Sequence, residues 1–281
     1  MLDVILDALL DTLKCLPFLF GAYILIEFLE HKTEGKLTDK LRHMGPLGPL
    51  MGALLGAVPQ CGFSVTAANL YAGRLITLGT LVAVFLSTSD EAVLILLAEP
   101  AAIGKILPLL LTKVIWAFAV GCATDLVIRA IRKRKPVEEE APFEELCKDC
   151  HCDEHPVVVS ALIHTGKISL FLLCVNLVLG TVFHFLDAET VGRFLLAGSF
   201  FQPFLTALIG FVPNCAASVL LTQLYLKGTL SFGSVIAGLS TGAGLGMAVL
   251  FRTNKAKENL RILALLYLAA VAAGLILNGV L

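Results

Sequence analysis

Charge is scarce in this sequence. Charged residues make up 15% of the 281 positions, against about a quarter in ordinary soluble domains, while hydrophobic residues reach 57% and the mean hydropathy is +0.88. A soluble globule is thereby excluded. Strict apolar–polar alternation is also missing: runs such as Leu75 to Phe85 and Leu263 to Leu277 are continuous, which excludes a transmembrane β-barrel. No basic stretch precedes the first apolar run, which starts at Leu2 and carries Asp3, Asp7, Asp11 and Lys14; it is expected to be a permanent helix and not a removable leader. No G-x-x-x-x-G-K-[ST] phosphate loop occurs, so a nucleotide-driven pump is excluded. The net charge of −1 gives no steering toward nucleic acid.

What remains is an all-α polytopic membrane protein. Apolar runs of about 20 residues, enough to cross a bilayer, fill most of the chain. Their basic flanks cluster at Lys32–Arg42, Arg129–Lys135 and Arg252–Arg261. The positive-inside rule puts all three in the cytoplasm, with the N-terminus outside.

The chain also repeats itself. Gly56-Ala57-Val58-Pro59-Gln60-Cys61-Gly62-Phe63-Ser64 is echoed by Gly210-Phe211-Val212-Pro213-Asn214-Cys215-Ala216-Ala217-Ser218. The offset, 215 minus 61, is 154, and it carries Leu70-Tyr71 onto Leu224-Tyr225, Gly79 onto Gly233 and Ser87 onto Thr241. Residues 45–72 are split by Pro59 into pieces of roughly 12 residues, each about 18 Å long as a helix and too short for a core about 30 Å thick. A re-entrant hairpin with its tip at Pro59-Gln60-Cys61 fits best, although two short complete spans give the same parity. The run from Leu75 to Leu97 is long enough to cross, but Ser87-Thr88-Ser89-Asp90-Glu91 interrupts it; it is expected to be a broken span. A further span covers Ile106 to Ile128. Counting passes makes the second half, from Val157, an inverted copy of the first. The expected organisation is a first repeat over 1–132, a cytoplasmic acidic Cys/His-bearing linker over 133–156, and a second, inverted repeat over 157–281, with about ten transmembrane segments.

Paired Gly/Pro-interrupted segments at matching positions in two halves point to a midplane binding site. Each tip offers an amide, a thiol and a hydroxyl: Gln60, Cys61 and Ser64 in the first, Asn214, Cys215 and Ser218 in the second. Unwound carbonyls and these side chains can coordinate a cation; the competing reading is a packing kink. Ser89 and Asp90 join this candidate set, because an ionisable residue within a span is costly and functional by default. The position matching Asp90 is Gly244, so one half would supply charge and the other backbone. Glu91 points about 100° away and is a secondary charge. Asp11 aligns with His164 when the register shifts to 153, which makes them a candidate charge or proton pair, with a structural helix contact as the alternative. In the linker, Cys147, Cys150, Cys152 and His155 suit Zn²⁺ or another soft cation, or are reduced thiols of a flexible segment.

The chain resembles the ten-transmembrane heavy-metal exporter family, whose members are labelled arsenic efflux proteins or manganese transporters. The resemblance rests on Leu2-Asp3-Val4-Ile5-Leu6-Asp7-Ala8-Leu9-Leu10-Asp11, Glu27-Phe28-Leu29-Glu30-His31-Lys32, Val58 to Ser64, Ser87 to Ala92, and Val212-Pro213-Asn214-Cys215. It implies secondary-active efflux of a metal or metalloid across the inner membrane, with no enzymatic activity and no required cofactor. Oxygen groups outnumber sulfur among the candidate ligands, which favours Mn²⁺ narrowly over arsenite or an organoarsenical. A membrane thiol oxidoreductase would want a C-x-x-C pair in a span, and neither tip has one. A metal sensor working through the linker is the remaining class.

Overall fold

The computed structural model describes residues 46–99, 102–134, 157–184, 199–213 and 215–280, together with scattered helical positions between residues 6 and 24. All regular structure among them is helical. In chain order the helices are α1 (Leu47–Gly56), α2 (Cys61–Ala72), α3 (Leu78–Ser87), α4 (Asp90–Ala98), α5 (Ile103–Arg134), α6 (Val157–His184), α7 (Gln202–Gly210), α8 (Cys215–Leu226), α9 (Phe232–Thr241), α10 (Leu245–Thr253) and α11 (Ala256–Val280). The helix boundaries repeat. Gly56 and Gly210 end the first arms, Cys61 and Cys215 open the second arms, and Ser87 and Thr241 close α3 and α9, each pair 154 apart (210 − 56, 215 − 61, 241 − 87).

Local chemistry explains why both halves break at these points. Thr77 caps α3 by accepting from the Thr80 amide at 3.1 Å, and Ser231 caps α9 by accepting from the Ser234 amide at 3.2 Å. The buried Asp125 carboxylate adds a second cap, accepting from the Gly79 amide at 2.9 Å and from the Thr77 hydroxyl at 2.7 Å. Asn278 does the same for the Gly233 amide at 3.1 Å. Glycine permits these approaches: a Cβ on Gly79 would meet the Gly121 carbonyl, and one on Gly233 the Gly274 carbonyl. Without a hydrophobic drive between helices in lipid, such close backbone contact is what holds them.

Each pair of short helices is a re-entrant hairpin. Along α1, Gly48 faces Thr80, Gly52 faces Thr80 and Val84, and Gly56 faces Val84 and Ser87, so α1 runs parallel to α3. After the tip, α2 returns to the end where α3 begins, because only residues 73–77 join the two. The arms and α3 enclose an apolar cleft of about 170 Å³, lined by Met51, Leu55, Phe63, Leu70, Ile76 and Val84 among others. In the second half α7 packs along α9 in the same way. At Arg74 the chain turns through φ +58°, and at the matching Gly228 through +75°. A non-glycine residue there costs about 1–2 kcal/mol. Arg74 is held by Glu258, whose carboxylate accepts from its guanidinium at 2.9 Å. Partial burial acts to lower the Arg74 pKa, but the hydrogen bond and charge of Glu258 outweigh it and hold the guanidinium above its ordinary value.

The two halves exchange arms. The second arm α2 packs on α10 of the other half, and α8 packs on α4. Gly246 makes the first contact possible, since a Cβ there would lie 2.7 Å from the Ser64 carbonyl oxygen. At one end of the bundle Tyr71 on α2 donates to Glu258 at the start of α11. At the opposite end, the Lys105 ammonium at the start of α5 lies 4.8 Å from the Tyr225 ring of α8. These are equivalent pairs in the two halves, placed at opposite ends, and they mark the inversion. Asp125, through Thr77, puts the C-terminal part of α5 at the Tyr71–Glu258 end, and Arg252, which donates to the Lys167 carbonyl, puts the start of α6 there too.

Burial follows this plan. An apolar 18-residue stretch of the broken run Phe232–Thr253 is 89% buried, against 22% for such a stretch of the long helix Ile103–Ile131, which presents Leu107, Leu111, Ile115 and Leu126 outward. That apolar exterior suits lipid and not water. The tight tips generate a test. A Cβ at Gly210 would meet the Gly238 carbonyl and the Thr241 hydroxyl, whereas one at Gly104 meets nothing within 4 Å. Gly210→Ala is expected to destabilise the detergent-solubilised protein by about 1–3 kcal/mol in thermal unfolding. Gly104→Ala should stay within about 0.5 kcal/mol. Equal melting temperatures for the two would contradict the packing.

Candidate functional site

The breaks and tips meet at one level in the middle of the bundle. The Gly56 end of α1 lies against Ser87 at the end of α3, and the Gly210 end of α7 lies against Gly238 and Thr241 at the end of α9. The Thr241 hydroxyl donates across to the Ala207 carbonyl at 2.7 Å, which locks the second tip to the second break. Ser64, one turn into α2, sits under Gly246, the second residue of α10. Hydroxyls are dense here. Ser64, Ser87, Thr88, Ser89, Ser240 and Thr241 are all buried.

Each break frees polar backbone. After Ser87 the chain leaves the helix at Thr88 (φ −53°, ψ 128°), and α4 restarts at Asp90. In the second half Gly242 and Gly244 interrupt the ladder, Gly244 with φ +51°. The Ala243 amide then bonds the Thr241 carbonyl, so the Leu239 carbonyl loses its helical donor. A buried carbonyl needs a replacement, and Lys113 provides one. Lys113, on α5, is 1% exposed; its ammonium donates to the Leu239 carbonyl at 2.8 Å and to the Thr88 carbonyl. One cation thus serves both breaks. Among the described residues, the buried Ser240 hydroxyl next to Leu239 finds no hydrogen-bond partner.

Sequence-predicted residues fall into two groups. Gln60 is the half-buried residue preceding α2; its backbone is extended, and its amide donates to the Val58 carbonyl at 2.7 Å. Ser64 and Ser89 are buried at the level of the breaks, the Ser89 hydroxyl donating to the Ser87 carbonyl at 3.1 Å. Ser218 is half-buried one turn into α8, where its carbonyl accepts from the Thr222 hydroxyl at 2.7 Å. Cys61, Asp90 and Cys215 open α2, α4 and α8, and Glu91 follows Asp90, but their side chains lie outside the described residues. The same holds for the side chain of His164 in α6, and for all of Asp11, Asn214, Cys147, Cys150, Cys152 and His155. Among the described residues no three His, Cys, Asp or Glu side chains gather into a metal-binding group.

Lys113 and Ser240 are the residues that sequence reasoning missed. The signal for Lys113 was present: it is an ionisable residue in the interior of an apolar span, where insertion costs about 2.5–3.5 kcal/mol. The long helices α5 and α11 match in the 153 register set by Asp125 and Asn278, so Lys113 corresponds to Leu266 and has no polar twin. Ser240 corresponds to Leu86 in the 154 register and is likewise unmatched.

The four hairpin arms, the two broken spans, α5, α6, α11 and the helical positions near the N-terminus make ten membrane segments. A family model described as "Putative, 10TM heavy-metal exporter" matches residues 2–197 and 182–280. No curated protein and no solved structure matches the chain. With the family match running over nearly the whole sequence, and the segments, breaks and duplicated tips falling where a ten-segment membrane protein requires them, the chain belongs to this heavy-metal exporter family.

Proposed function

We propose that the chain exports a metal or metalloid species from the cytoplasm by alternating access, with the substrate held where the two breaks and the two tips meet. The observation that carries this reading is the convergence of four interrupted helices on one buried level lined by hydroxyls, with the Ser240 hydroxyl left unpartnered. Interrupted backbone at membrane depth is tolerated where it lines a cavity or contacts a ligand. Exchange of arms between the halves supports the rocking. Tilting α1, α3, α5 and their partners against the second half would open the crossing to one end or the other, because α2 and α8 each bridge to the opposite repeat.

Oxygen chemistry favours a hard divalent cation, and Mn²⁺ leads. The hydroxyls of Ser64, Ser89, Ser218 and Ser240, the Gln60 and Asn214 amides and the Asp90 carboxylate form the candidate ligand set. Cys61 and Cys215 are the only soft donors in it, and they sustain arsenite or an organoarsenical as the second reading. Cys147, Cys150, Cys152 and His155 are assigned a metal-capturing role, with Zn²⁺ a candidate ligand; Asp11, His164 and Glu91 are assigned charge compensation during the cycle.

Orientation follows from charge. Arg74, Arg129, Arg252, Lys255, Lys257 and Arg261 belong to the Tyr71–Glu258 end, whereas Lys105 and Lys227 belong to the other. The first end is therefore assigned to the cytoplasm and the protein to the inner membrane. A membrane-impermeant thiol reagent applied to whole cells should leave Cys147, Cys150 and Cys152 unlabelled until the cells are broken. Labelling of intact cells would reverse the orientation.

Transport itself is tested in proteoliposomes with Mn²⁺, Zn²⁺, Co²⁺, arsenite and methylarsenite. Asp90→Asn removes the charge a divalent cation needs and should lower Mn²⁺ export at least tenfold while leaving expression near normal. Full activity toward every substrate would place the site elsewhere. Cys61→Ser with Cys215→Ser exchanges soft donors for hard ones, so Mn²⁺ export should change less than threefold if manganese is the substrate. A severe loss confined to arsenicals would select the second reading instead.

A further inference from the structure

The Lys113 ammonium occupies a place usually given to a free ion. Two helices, α3 and α9, enter from opposite ends of the bundle and stop with their C-termini facing the same point. Each C-terminus carries about half a negative elementary charge, so the pair presents about one. The Lys113 ammonium, 1% exposed, neutralises that charge and donates to a carbonyl from each helix, Thr88 and Leu239, the second at 2.8 Å. Its charge matches one monovalent cation. The acceptors it meets are carbonyl oxygens, the ligands that unwound helices offer to alkali ions at membrane midplanes. Ser240, beside Leu239, adds a buried hydroxyl with no partner, an unused oxygen at the same break. Charge on the elements around Lys113 is concentrated in the first turn of α4 and toward the ends of α5. Helices α1, α3 and α9 contain no ionisable residue; α4 brings Asp90 and Glu91 in its first turn, and α5 itself has Lys105 near one end and Asp125, Arg129, Arg132, Lys133 and Arg134 toward the other.

We infer that the crossing of the two broken spans is a monovalent-cation site that the protein fills with its own Lys113 ammonium, so that export draws on no free Na⁺ or K⁺ at this position. The tether has a physical rationale. A free cation must be captured from solution on every cycle, whereas an ammonium on α5 stays with the site and leaves the hydroxyls beside it to the substrate. Lys113 acts through the two half-helices, which makes it a positioning residue. The statement about export rests on the crossing being the transport site; the statement about binding does not.

Deleting the ammonium should turn the built-in cation into a soluble requirement. Lys113→Ala and Lys113→Ser are produced in cells, purified in ammonium chloride and then exchanged into choline, sodium, potassium or ammonium chloride at equal ionic strength. Each variant is expected to melt lower than wild type in choline and to recover saturably, by roughly 5 °C or more, in ammonium or a small alkali cation. Wild type should melt alike in all four salts. Lys113→Met fills the space without a charge and should not recover in any of them. In proteoliposomes, wild-type metal export should be equal in sodium, potassium and choline, and Lys113→Ala should export only in the salts that restore its melting temperature. Variants that fold but ignore every small cation, variants that fail to fold in all four salts, or a wild type whose melting depends on Na⁺ or K⁺ would overturn the inference. Saturable recovery of the variants together with no metal export by wild type would instead leave the cation site standing and remove the transport reading.

Discussion

Two helices that end face to face inside a membrane create the constraint on which this architecture depends. Their terminal carbonyls have no water to bond and carry charge of the same sign, so they repel each other unless something positive lies between them. Lys113 lies there. Around that point the fold is arranged to keep the breaks short and enclosed. Asp125 and Asn278 cap the far ends of α3 and α9, the tips of the hairpins press glycine against both breaks, and α2 and α8 each seal the continuing half of the other repeat's span. Removing any one of these supports exposes backbone that lipid cannot satisfy.

The same arrangement makes the molecule asymmetric in a useful way. Duplication supplies two tips, two breaks and two sets of caps. The charges do not follow the duplication: Lys113 corresponds to Leu266 in the other half, and Asp90 corresponds to Gly244. A duplicated scaffold is thus combined with one set of ionisable groups that only one half supplies.

Much of this was legible from residues alone. Pro59 and Pro213 gave the tips, the hydroxyl run from Ser87 gave the first break, and the 154-residue register relates the helix ends of the two halves to within about a residue. The register also contained the equivalence of Arg74 with Gly228, which reveals a left-handed turn that Arg74 alone conceals. Lys113 escaped because a search built on repetition sees only what recurs, and a single lysine in a span has no echo. The exchange of arms was not legible either. Apolar helices of similar length are interchangeable in sequence, and it takes contacts such as the fit of Gly246 under Ser64 to select α10 as the partner of α2.

The central claim is that the transported ion rests at the meeting point of the breaks. An anomalous-scattering map from crystals of the protein loaded with Mn²⁺ addresses it most directly. The account predicts a peak in the bundle interior within coordinating reach of Ser89, Ser240 or the first turns of α2, α4 and α8. Manganese found in the linker or on the surface, with no peak among the half-helices, would contradict it.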